Sequence, residues 1–262
     1  MSLTRKVVLI GAGNVAASLA PSIDAVDGLE LSQIVSSDGR SAALLAEAAG
    51  GCDAATPDSI MTGADIYIFA VSDTALSRLA SSLPPLPGAL CLHTSGSVDA
   101  SVLAPLTGRY GVLYPLQTFT RGVTLDLRAV PFFIEGSSPE VTSEIMQLAR
   151  SLSDTVHTAD SAMRRRMHVA AVFGCNFVTH MLDISDNLLR RDGLDISVLS
   201  PLISETIRKS LEIGPHAAQT GPARRGDKAV TGKHEEMLAD DSHLCEIYRL
   251  LSDSISRAYQ QN

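Results

Sequence analysis

With 262 residues, 45% of them hydrophobic, the chain can form one large domain or two modest ones around a sizeable core. A net charge of −8 and an aromatic content of only 4% disfavour a nucleic-acid surface, because phosphates and bases are bound by basic and aromatic side chains. The four cysteines, Cys52, Cys91, Cys175 and Cys245, lack metal-ligand spacing, so we expect no metal site and buried free thiols in a reducing compartment.

Neither a targeting segment nor a membrane span is expected. A strand predicted from Lys6 leaves no room for a signal peptide before it. The longest apolar stretch, residues 169–181, is interrupted by Asn176 and His180 and is too short to span a bilayer. We therefore predict a soluble, cytoplasmic protein with neither a membrane nor a nucleic-acid partner.

The first predicted strand, residues 6–10, leads into a glycine-rich turn of the form GxGxxG/A. In such a turn the first glycine allows the tight bend, the second leaves room for a pyrophosphate, and the small third residue lets the next helix pack closely. That helix directs free N–H groups and its positive dipole end at the phosphates. The pattern predicts a dinucleotide site that includes Gly11, Gly13, Asn14, Val15 and Ala16.

The second predicted strand, residues 29–35, ends where a dinucleotide-binding fold contacts the adenosine ribose. An acidic residue at this point favours NAD, whereas an arginine with nearby hydroxyls suits the 2′-phosphate of NADP. Ser36, Ser37 and Arg40 therefore favour NADP, while Asp38 keeps NAD open. The alternative is that Arg40 is merely solvated at the start of a helix.

Strands and helices then alternate, which predicts a doubly wound α/β Rossmann domain over residues 1–157. Polar residues follow two of the strands at the sheet edge where ligands bind. Val71, Ser72, Thr94 and Ser95 are therefore further candidates for cofactor contact, and a simple turn is the alternative for the last two. The remaining strands are predicted at 65–71, 89–93, 111–114 and 130–134, with a helix at 139–152.

Beyond residue 158 the pattern is helical, and we predict a substrate-binding and dimerisation domain over 158–262. Its first helix, predicted at 160–191, carries His168 and Asn176 eight residues apart on broadly the same face. A histidine and an amide that face a cleft can deliver a proton and orient a carbonyl during hydride transfer. The alternatives are a core or interface role for His168 and a solvated helix start for the arginines at 164–166.

A second unusual stretch, residues 220–227, contains glycine and proline, which are expected to prevent helix formation before a cap at Asp227. With two arginines near a helix N-terminus, this stretch could hold a carboxylate or a phosphate. His234 lies near one helical face with Asp227 and is a third catalytic candidate. The alternative is an exposed interhelical turn. The predicted substrate-binding residues are Thr220, Gly221, Arg225 and Asp227.

Five motifs that occur together in this chain carry a family resemblance. They are Gly11-Ala-Gly-Asn-Val-Ala16, His93-Thr-Ser-Gly96, Tyr114-Pro-Leu-Gln-Thr-Phe119, His168-Val-Ala-Ala171 with Asn176, and Thr220-Gly-Pro-Ala-Arg-Arg-Gly-Asp227 with His234. Together they resemble a bacterial family with a Rossmann-like N-terminal domain and a helical C-terminal domain of uncharacterised function. Its members are labelled as candidate NADP or deazaflavin-dependent oxidoreductases. The chain departs from the family pattern at Tyr114, where the family has a histidine.

The architecture is also similar to pyrroline-5-carboxylate reductase and to 6-phosphogluconate dehydrogenase-like enzymes. This similarity implies a substrate-carboxylate loop at 220–226, often across a dimer interface, and a catalytic position on the first long helix that His168 would fill in place of a lysine. The motifs together predict an NADP-dependent oxidoreductase that acts on a small, anionic carbonyl or imine compound. The low aromatic content and the long apolar helix predict a homodimer that forms through the helical domain. The alternatives are a non-catalytic dinucleotide sensor or scaffold and an NADPH–deazaflavin oxidoreductase.

Overall fold

The computed structural model describes residues 4–120, 122–123 and 125–259. The chain divides into two compact units, Met1–Thr179 and His180–Asn262. The first unit contains a β-sheet with its helices, and the described part of the second consists of helices and turns. The domain boundary predicted between residues 157 and 158, where the strand pattern ends, stays a prediction.

An eight-stranded sheet forms the centre of the first unit. Its strands are β1 (Arg5–Ile10), β2 (Leu29–Val35), β3 (Asp53–Ala55), β4 (Ile66–Phe69), β5 (Leu90–His93), β6 (Tyr110–Pro115), β7 (Phe132–Gly136) and β8 (Val156–Thr158). They are ordered β3-β2-β1-β4-β5-β6-β7-β8, and all neighbours are parallel except β6 and β7. This order is that of a dinucleotide-binding Rossmann fold, so the predicted doubly wound α/β class is confirmed.

Both faces of the sheet are buried, because successive side chains of a strand point to opposite faces. In β1, Val7 and Leu9 join one apolar cluster, whereas Val8 and Ile10 join a second one on the other face. The helices that cover the first cluster are α1 (Asn14–Asp24), α2 (Gly39–Ala48) and α4 (Pro139–Leu152), and α3 (Asp73–Ser82) covers the second.

Helix α5 (Ser161–Ala171), a π-helical turn (Val172–Asn176) and α6 (Phe177–Arg190) follow one another directly. The combined helix Ser161–Arg190 has 30 residues and a window of mean hydropathy 1.2, so it is long and apolar enough to cross a membrane. This corrects the expectation that the apolar stretch is too short, which considered residues 169–181 alone. Length and composition are weak support for a membrane span, because helices of soluble proteins meet the same test.

In the part of the second unit that the structure describes, five helices follow α6. These are α7 (Ser200–Ile213), α8 (Pro215–Ala218), α9 (Pro222–Arg225), α10 (Lys228–Met237) and α11 (Ser242–Tyr259). The expectation that glycine and proline prevent helix in 220–227 is therefore wrong. Pro222 begins the short helix α9, where its fixed φ suits the first turn, and Gly226 ends it with a left-handed φ of 70°.

Two other sequence-based expectations need correction. Of the four cysteines only Cys91 is buried, while Cys52 and Cys245 are half-buried and Cys175 is exposed. The sequence does not predict β3 or β8, because three-residue strands with mostly exposed side chains show too little apolar periodicity.

Candidate active site

A cleft of about 680 Å³ opens in the first unit at the carboxyl ends of β1, β2 and β4. The strand order reverses between β1 and β4, so the cleft lies at the topological switch point where open α/β sheets bind ligands. The residues singled out from the sequence that line this cleft are Gly11, Gly13, Asn14, Val15, Ser36, Ser37, Val71, Ser72, His168 and Asn176.

The two glycines of the first turn have different structural roles. Gly11 has a φ of +124°, and a Cβ built on it would lie 2.1 Å from the carbonyl oxygen of Ala70. A Cβ built on Gly13 would meet no atom within 4 Å, so there is open space beside this residue of the cleft. Ala16 is buried in the core, where its small side chain lets α1 pack closely. Open space at the N-terminus of α1 fits a pyrophosphate, and the residues present therefore suit a dinucleotide.

Asn14 connects the glycine turn to a second wall of the cleft. Its Nδ2 donates a hydrogen bond to the carbonyl oxygen of Phe119 over 2.9 Å. Gln117 and Thr118, just before Phe119, also line the cleft. The sequence marks this segment as part of a family motif but does not place it at the cleft, because a contact between residues this far apart in the chain leaves no local pattern.

At the ribose end of the cleft, the carboxylate of Asp38 is already bonded within its own helix. It caps α2, accepting hydrogen bonds from the backbone N–H of Arg40 and the hydroxyl of Ser41. The Ser41 hydroxyl bond, followed by the Arg40 N–H bond, lowers the pKa of Asp38. These bonds direct the carboxylate toward the start of α2. The carboxylate oxygens are therefore already used as hydrogen-bond acceptors, which disfavours Asp38 as a ligand of the ribose.

The arginine that lines the cleft is Arg78 rather than Arg40. Arg78 lies on α3, three residues after Ala75 and one before Leu79, and both of these residues also line the cleft. Sequence reasoning missed it, although a spacing of three and four residues marks one face of a helix. Arg40 is exposed at the start of α2.

Thr94 and Ser95 are buried and are not among the residues that line the cleft. Thr94 bonds the carbonyl oxygen of Phe69, and the Ser95 hydroxyl oxygen accepts hydrogen bonds from the N–H groups of Ser97 and Val98. The preceding residue, His93, is fully buried in β5. Burial first, and then the charge of Arg164, lowers the pKa of His93 to about 4.

His168 contacts Tyr114, which lies near the end of β6. Its Nδ1 lies 3.2 Å from the hydroxyl oxygen of Tyr114, and the two rings meet edge to face with centroids 6.2 Å apart. Gly96 makes room for this pair, because a Cβ there would lie 2.8 Å from His168 Nδ1 and 2.9 Å from the Tyr114 hydroxyl. The lack of a side chain at Gly96, the last residue of the His93–Gly96 motif, therefore allows Tyr114 and His168 to meet.

Arg164, one helical turn before His168, is completely buried, so the expectation of a solvated arginine run is wrong at this position. It forms an ion pair with Glu135 on β7 and donates to the carbonyl oxygen of Val98 and to the hydroxyl of Ser161. Burial of this long charged side chain is energetically unfavourable unless it has such ion-pair and hydrogen-bond partners. The contacts tie the first turn of α5 to the sheet and fix the rotation of the helix that carries His168.

The π-helical turn accounts for the shared face of His168 and Asn176. Eight residues of a regular α-helix turn through about 800°, which would leave the two side chains about 80° apart. A π-helical turn accommodates one extra residue, so the eight residues turn about as far as seven and the offset falls to about 20°. The N–H of Phe177 bonds the carbonyl of Val172, five residues earlier, as such a turn requires.

The remaining predicted residues belong to the second unit. Asp227 caps α10 by accepting a hydrogen bond from Val230 N, as predicted, and His234 Nδ1 lies 2.7 Å from the Tyr248 hydroxyl. Arg224 donates to the carbonyl oxygen of Gln219 and lies over the Tyr259 ring, 5.1 Å from its centroid. Thr220, Gly221 and Arg225 lie in the same stretch, and Arg225 is exposed.

Two family models match parts of the chain. One, described as NADP oxidoreductase, coenzyme F420-dependent, matches residues 6–94, and a domain of unknown function, DUF2520, matches residues 130–255. The chain is 39% identical to a Bacteroides fragilis protein described as a candidate NADP oxidoreductase, over 97% of this chain and 98% of that one, with a TM-score of 0.87. The chain belongs to this NADP oxidoreductase family. The family resemblance and the cofactor predicted from the sequence, NADP, are thereby confirmed.

More distant solved structures share the fold of this NADP oxidoreductase. A reductive aminase from Aspergillus terreus, in complex with NADPH and ethyl-5-oxohexanoate, is 14% identical over 99% of this chain and 95% of that one, with a TM-score of 0.68. A 1-pyrroline-5-carboxylate reductase from Streptococcus pyogenes is 14% identical over 97% and 98%, with a TM-score of 0.60. A search of curated proteins finds no match. Among the described residues, no group of three or more His, Cys, Asp or Glu could hold a metal ion.

Proposed function

We propose that this NADP oxidoreductase transfers a hydride between NADP and a small, anionic carbonyl or imine compound. The observation that carries the proposal is that the glycine turn, His168 and Asn176 line one cleft. NADPH supplies the hydride when it is bound, so the chain has to position the cofactor, orient the substrate and provide a proton. A sensor or scaffold would need no acid–base group beside its dinucleotide site.

On the cofactor side, the turn from Gly11 to Ala16 would hold the pyrophosphate against the N-terminus of α1. Val71 and Ser72 would border the same pocket, with Thr94 and Ser95 supporting it from behind. The 2′-phosphate would meet the hydroxyls of Ser36 and Ser37 and a guanidinium, which suits NADP because arginine binds phosphate with several N–H donors. Arg40 and Arg78 are the two candidates for that guanidinium.

On the chemical side, His168 would hold the proton that is delivered to the substrate. During reduction, the substrate carbon accepts the hydride while its nitrogen or oxygen takes a proton from the ring of His168. The Asn176 amide, on the same helical face, would orient that nitrogen or oxygen by a hydrogen bond. Such positioned proton transfer typically contributes about 10²- to 10⁴-fold to the rate.

The substrate's anionic end would bind in the stretch that contains Thr220, Gly221, Arg225 and Asp227, with His234 as a supporting group. Arg225 is exposed and, within the described residues, its side chain forms no ion pair or hydrogen bond. The names of the reductive aminase and the pyrroline-5-carboxylate reductase describe chemistry at carbon–nitrogen bonds, the second on a carboxylate. Both names support an imine, and the second supports an anionic one, as the first substrate class to test.

We also propose that the helical domain, residues 158–262, forms a homodimer in the cytoplasm. The support is the exposure of large apolar side chains along this region, among them Phe173, Phe177, Leu202 and Leu211. Exposed apolar patches of this kind mark interaction surfaces.

The cofactor part of the proposal is tested by titrating NADPH and NADH into the purified protein and following cofactor fluorescence. We expect tighter binding of NADPH, and that Arg40→Ala or Arg78→Ala removes this preference. Arg150→Ala, an exposed arginine on α4, is the matched control. Micromolar binding of NADH with none of NADPH would overturn the assignment.

The catalytic part is tested by following NADPH consumption with cyclic imine carboxylates and with 2-oxo acids plus amines. Turnover should fall by about 10²-fold or more in His168→Ala and stay unchanged in His157→Ala, an exposed histidine on β8. NADPH binding without turnover of any such compound would favour the sensor. Turnover only with a deazaflavin acceptor would favour the second candidate, which the description of the family model over residues 6–94 supports.

A further inference from the structure

We infer that Tyr114 is a positioning residue whose hydroxyl donates to His168 Nδ1 and thereby holds the exchangeable imidazole proton on Nε2. The consequence for turnover rests on the proposed function, in which the substrate takes the Nε2 proton. Nδ1 then takes the proton of the Tyr114 hydroxyl, so that the ring stays neutral, and the tyrosinate regains its proton from solvent. The assignment of the proton to one nitrogen concerns the Tyr114–His168 contact alone and can be tested separately.

The direction of the hydrogen bond follows from the number of partners available. Within the part of the chain that the structure describes, His168 Nδ1, at 3.2 Å, is the hydrogen-bond partner of the Tyr114 hydroxyl. If the hydroxyl accepted from Nδ1–H, its own proton would be left without an acceptor in a buried position, which costs more than an unused lone pair. Burial also raises the pKa of Tyr114, so the hydroxyl keeps its proton throughout the neutral range. The arrangement that satisfies both groups is Tyr114 O–H to Nδ1, with the proton of a neutral imidazole on Nε2.

The surroundings hold this pair in place from three sides. Gly96 approaches so closely that a Cβ would lie 2.8 Å from Nδ1 and from Tyr114 Cζ. Arg164, on the same face of α5 one turn earlier, is fixed by Glu135 and Val98. The Tyr114 ring is itself buried at the end of β6. An imidazole whose Nδ1 is fixed in this way can present only Nε2–H as a donor to a substrate.

The proton position can be measured by ¹⁵N NMR on protein labelled in its histidine rings, because N–H and unprotonated ring nitrogens give well separated resonances. The spectrum is recorded at about pH 8.5, above the ordinary histidine range, and the His168 signals are those that disappear in His168→Gln. We expect the Nε2–H form in the wild-type protein and a mixture of both tautomers in Tyr114→Phe. Tyr110→Phe, the same change on the same strand, is the matched control and should leave the His168 signals unchanged.

A wild-type spectrum with the proton on Nδ1, or identical tautomer populations in the wild type and Tyr114→Phe, would overturn the inference. Turnover provides the second measurement. Loss of one neutral hydrogen bond corresponds to a five- to tenfold effect, so kcat should fall by about that factor in Tyr114→Phe with the NADPH KM unchanged.

Failure of this inference and failure of the proposed function give different results. If His168→Ala abolishes turnover but the NMR spectrum shows Nδ1–H, the role of Tyr114 is wrong and the proton donor stands. If the spectrum shows Nε2–H and its loss in Tyr114→Phe, but His168→Ala retains turnover, the tautomer assignment is right and the proton donor lies elsewhere.

Discussion

The two units of the molecule differ in how far they bury their apolar side chains. In the first, the strands of the sheet place side chains such as Leu9 and Ile68 in a core that helices of the same chain cover. In the second, no residue of α7, α10 or α11 is fully buried, and Leu211 is 83% exposed. Burial of apolar surface is the main favourable contribution to folding. The first unit therefore has an apolar core of its own, whereas these helices of the second unit leave large apolar side chains exposed.

Charged groups differ between the units in the same way. In the first unit, Arg164 is fully buried and pairs with the half-buried Glu135, whereas Arg208 on α7 bonds Glu205 and Glu212 across an exposed helical surface. An exposed helical ion pair contributes little because water and salt screen it. A buried one is strongly destabilising when only one partner is removed. Breaking an Arg–Glu ion pair should therefore lower the free energy of unfolding more in the first unit than in the second.

The largest expected effect comes from breaking the buried pair. Arg164→Met should lower the free energy of unfolding by about 3–5 kcal/mol, because it leaves the Glu135 carboxylate without its cation. Chemical denaturation followed by circular dichroism measures the loss. In the control, Arg208→Met should leave the denaturation midpoint unchanged. Equal losses in both variants would contradict the contrast between the units.

The glycine turn offers a second contrast, within the first unit. Gly11→Ala should cost about 3 kcal/mol of stability, since the residue has φ +124° and its Cβ would meet the Ala70 carbonyl at 2.1 Å. Gly13→Ala should fold normally, because its Cβ meets no protein atom within 4 Å. It should instead weaken NADPH binding at least tenfold if the pyrophosphate uses that space. Thermal melts together with NADPH titrations separate the two effects, and normal NADPH binding by Gly13→Ala would move the phosphates elsewhere.

The sequence predicts most of the fold because most strands and helices of the first unit have a recognisable pattern within a short stretch of chain. The strand 29–35 and the helix 139–152 are predicted with the bounds that the structure has. The apolar run at 65–71 contains β4, which is buried on both faces as expected of a central parallel strand. Each of these signals is complete within a short stretch of chain.

The candidate site is less predictable because it is made by distant contacts. The approach of Gly96 to Tyr114 and His168, and the ion pair of Arg164 with Glu135, join segments far apart in the sequence. The π-helical turn has no sequence signature of its own, and it aligns Asn176 with His168. The glycine turn, His168 and Asn176 could be singled out from their motifs, but the contacts that hold them required the structure.

The buried histidine of the sheet predicts a pH dependence. The pKa of His93 is lowered to about 4 in the folded protein. Between about pH 6.5 and 4, His93 therefore binds a proton in the unfolded chain but not in the folded protein. The stability contributed by neutral His93 is complete above that window and is lost as the pH falls through it. Between pH 7 and 5 this amounts to about 2 kcal/mol. His93→Gln should flatten the decrease by that amount in urea denaturation at the two pH values. His157→Gln, at an exposed position, should leave the decrease in unfolding free energy between pH 7 and 5 unchanged. An equal decrease in the wild type and in His93→Gln would refute the assignment.

The smallest effect on the isolated chain is expected on the exposed face of α7. Ile207 and Leu211 lie one turn apart on that face and are 45% and 83% exposed. Changing both to serine should alter the free energy of unfolding of a dilute, monomeric sample by less than about 0.5 kcal/mol. If the helical domain forms the proposed homodimer through this face, the same variant should shift sedimentation toward the monomer. Leu44→Ser, at a 53% exposed leucine on α2 of the first unit, serves as the control and should leave sedimentation unchanged. Unchanged sedimentation of the double variant beside a dimeric wild type would mean that the dimer forms through another face.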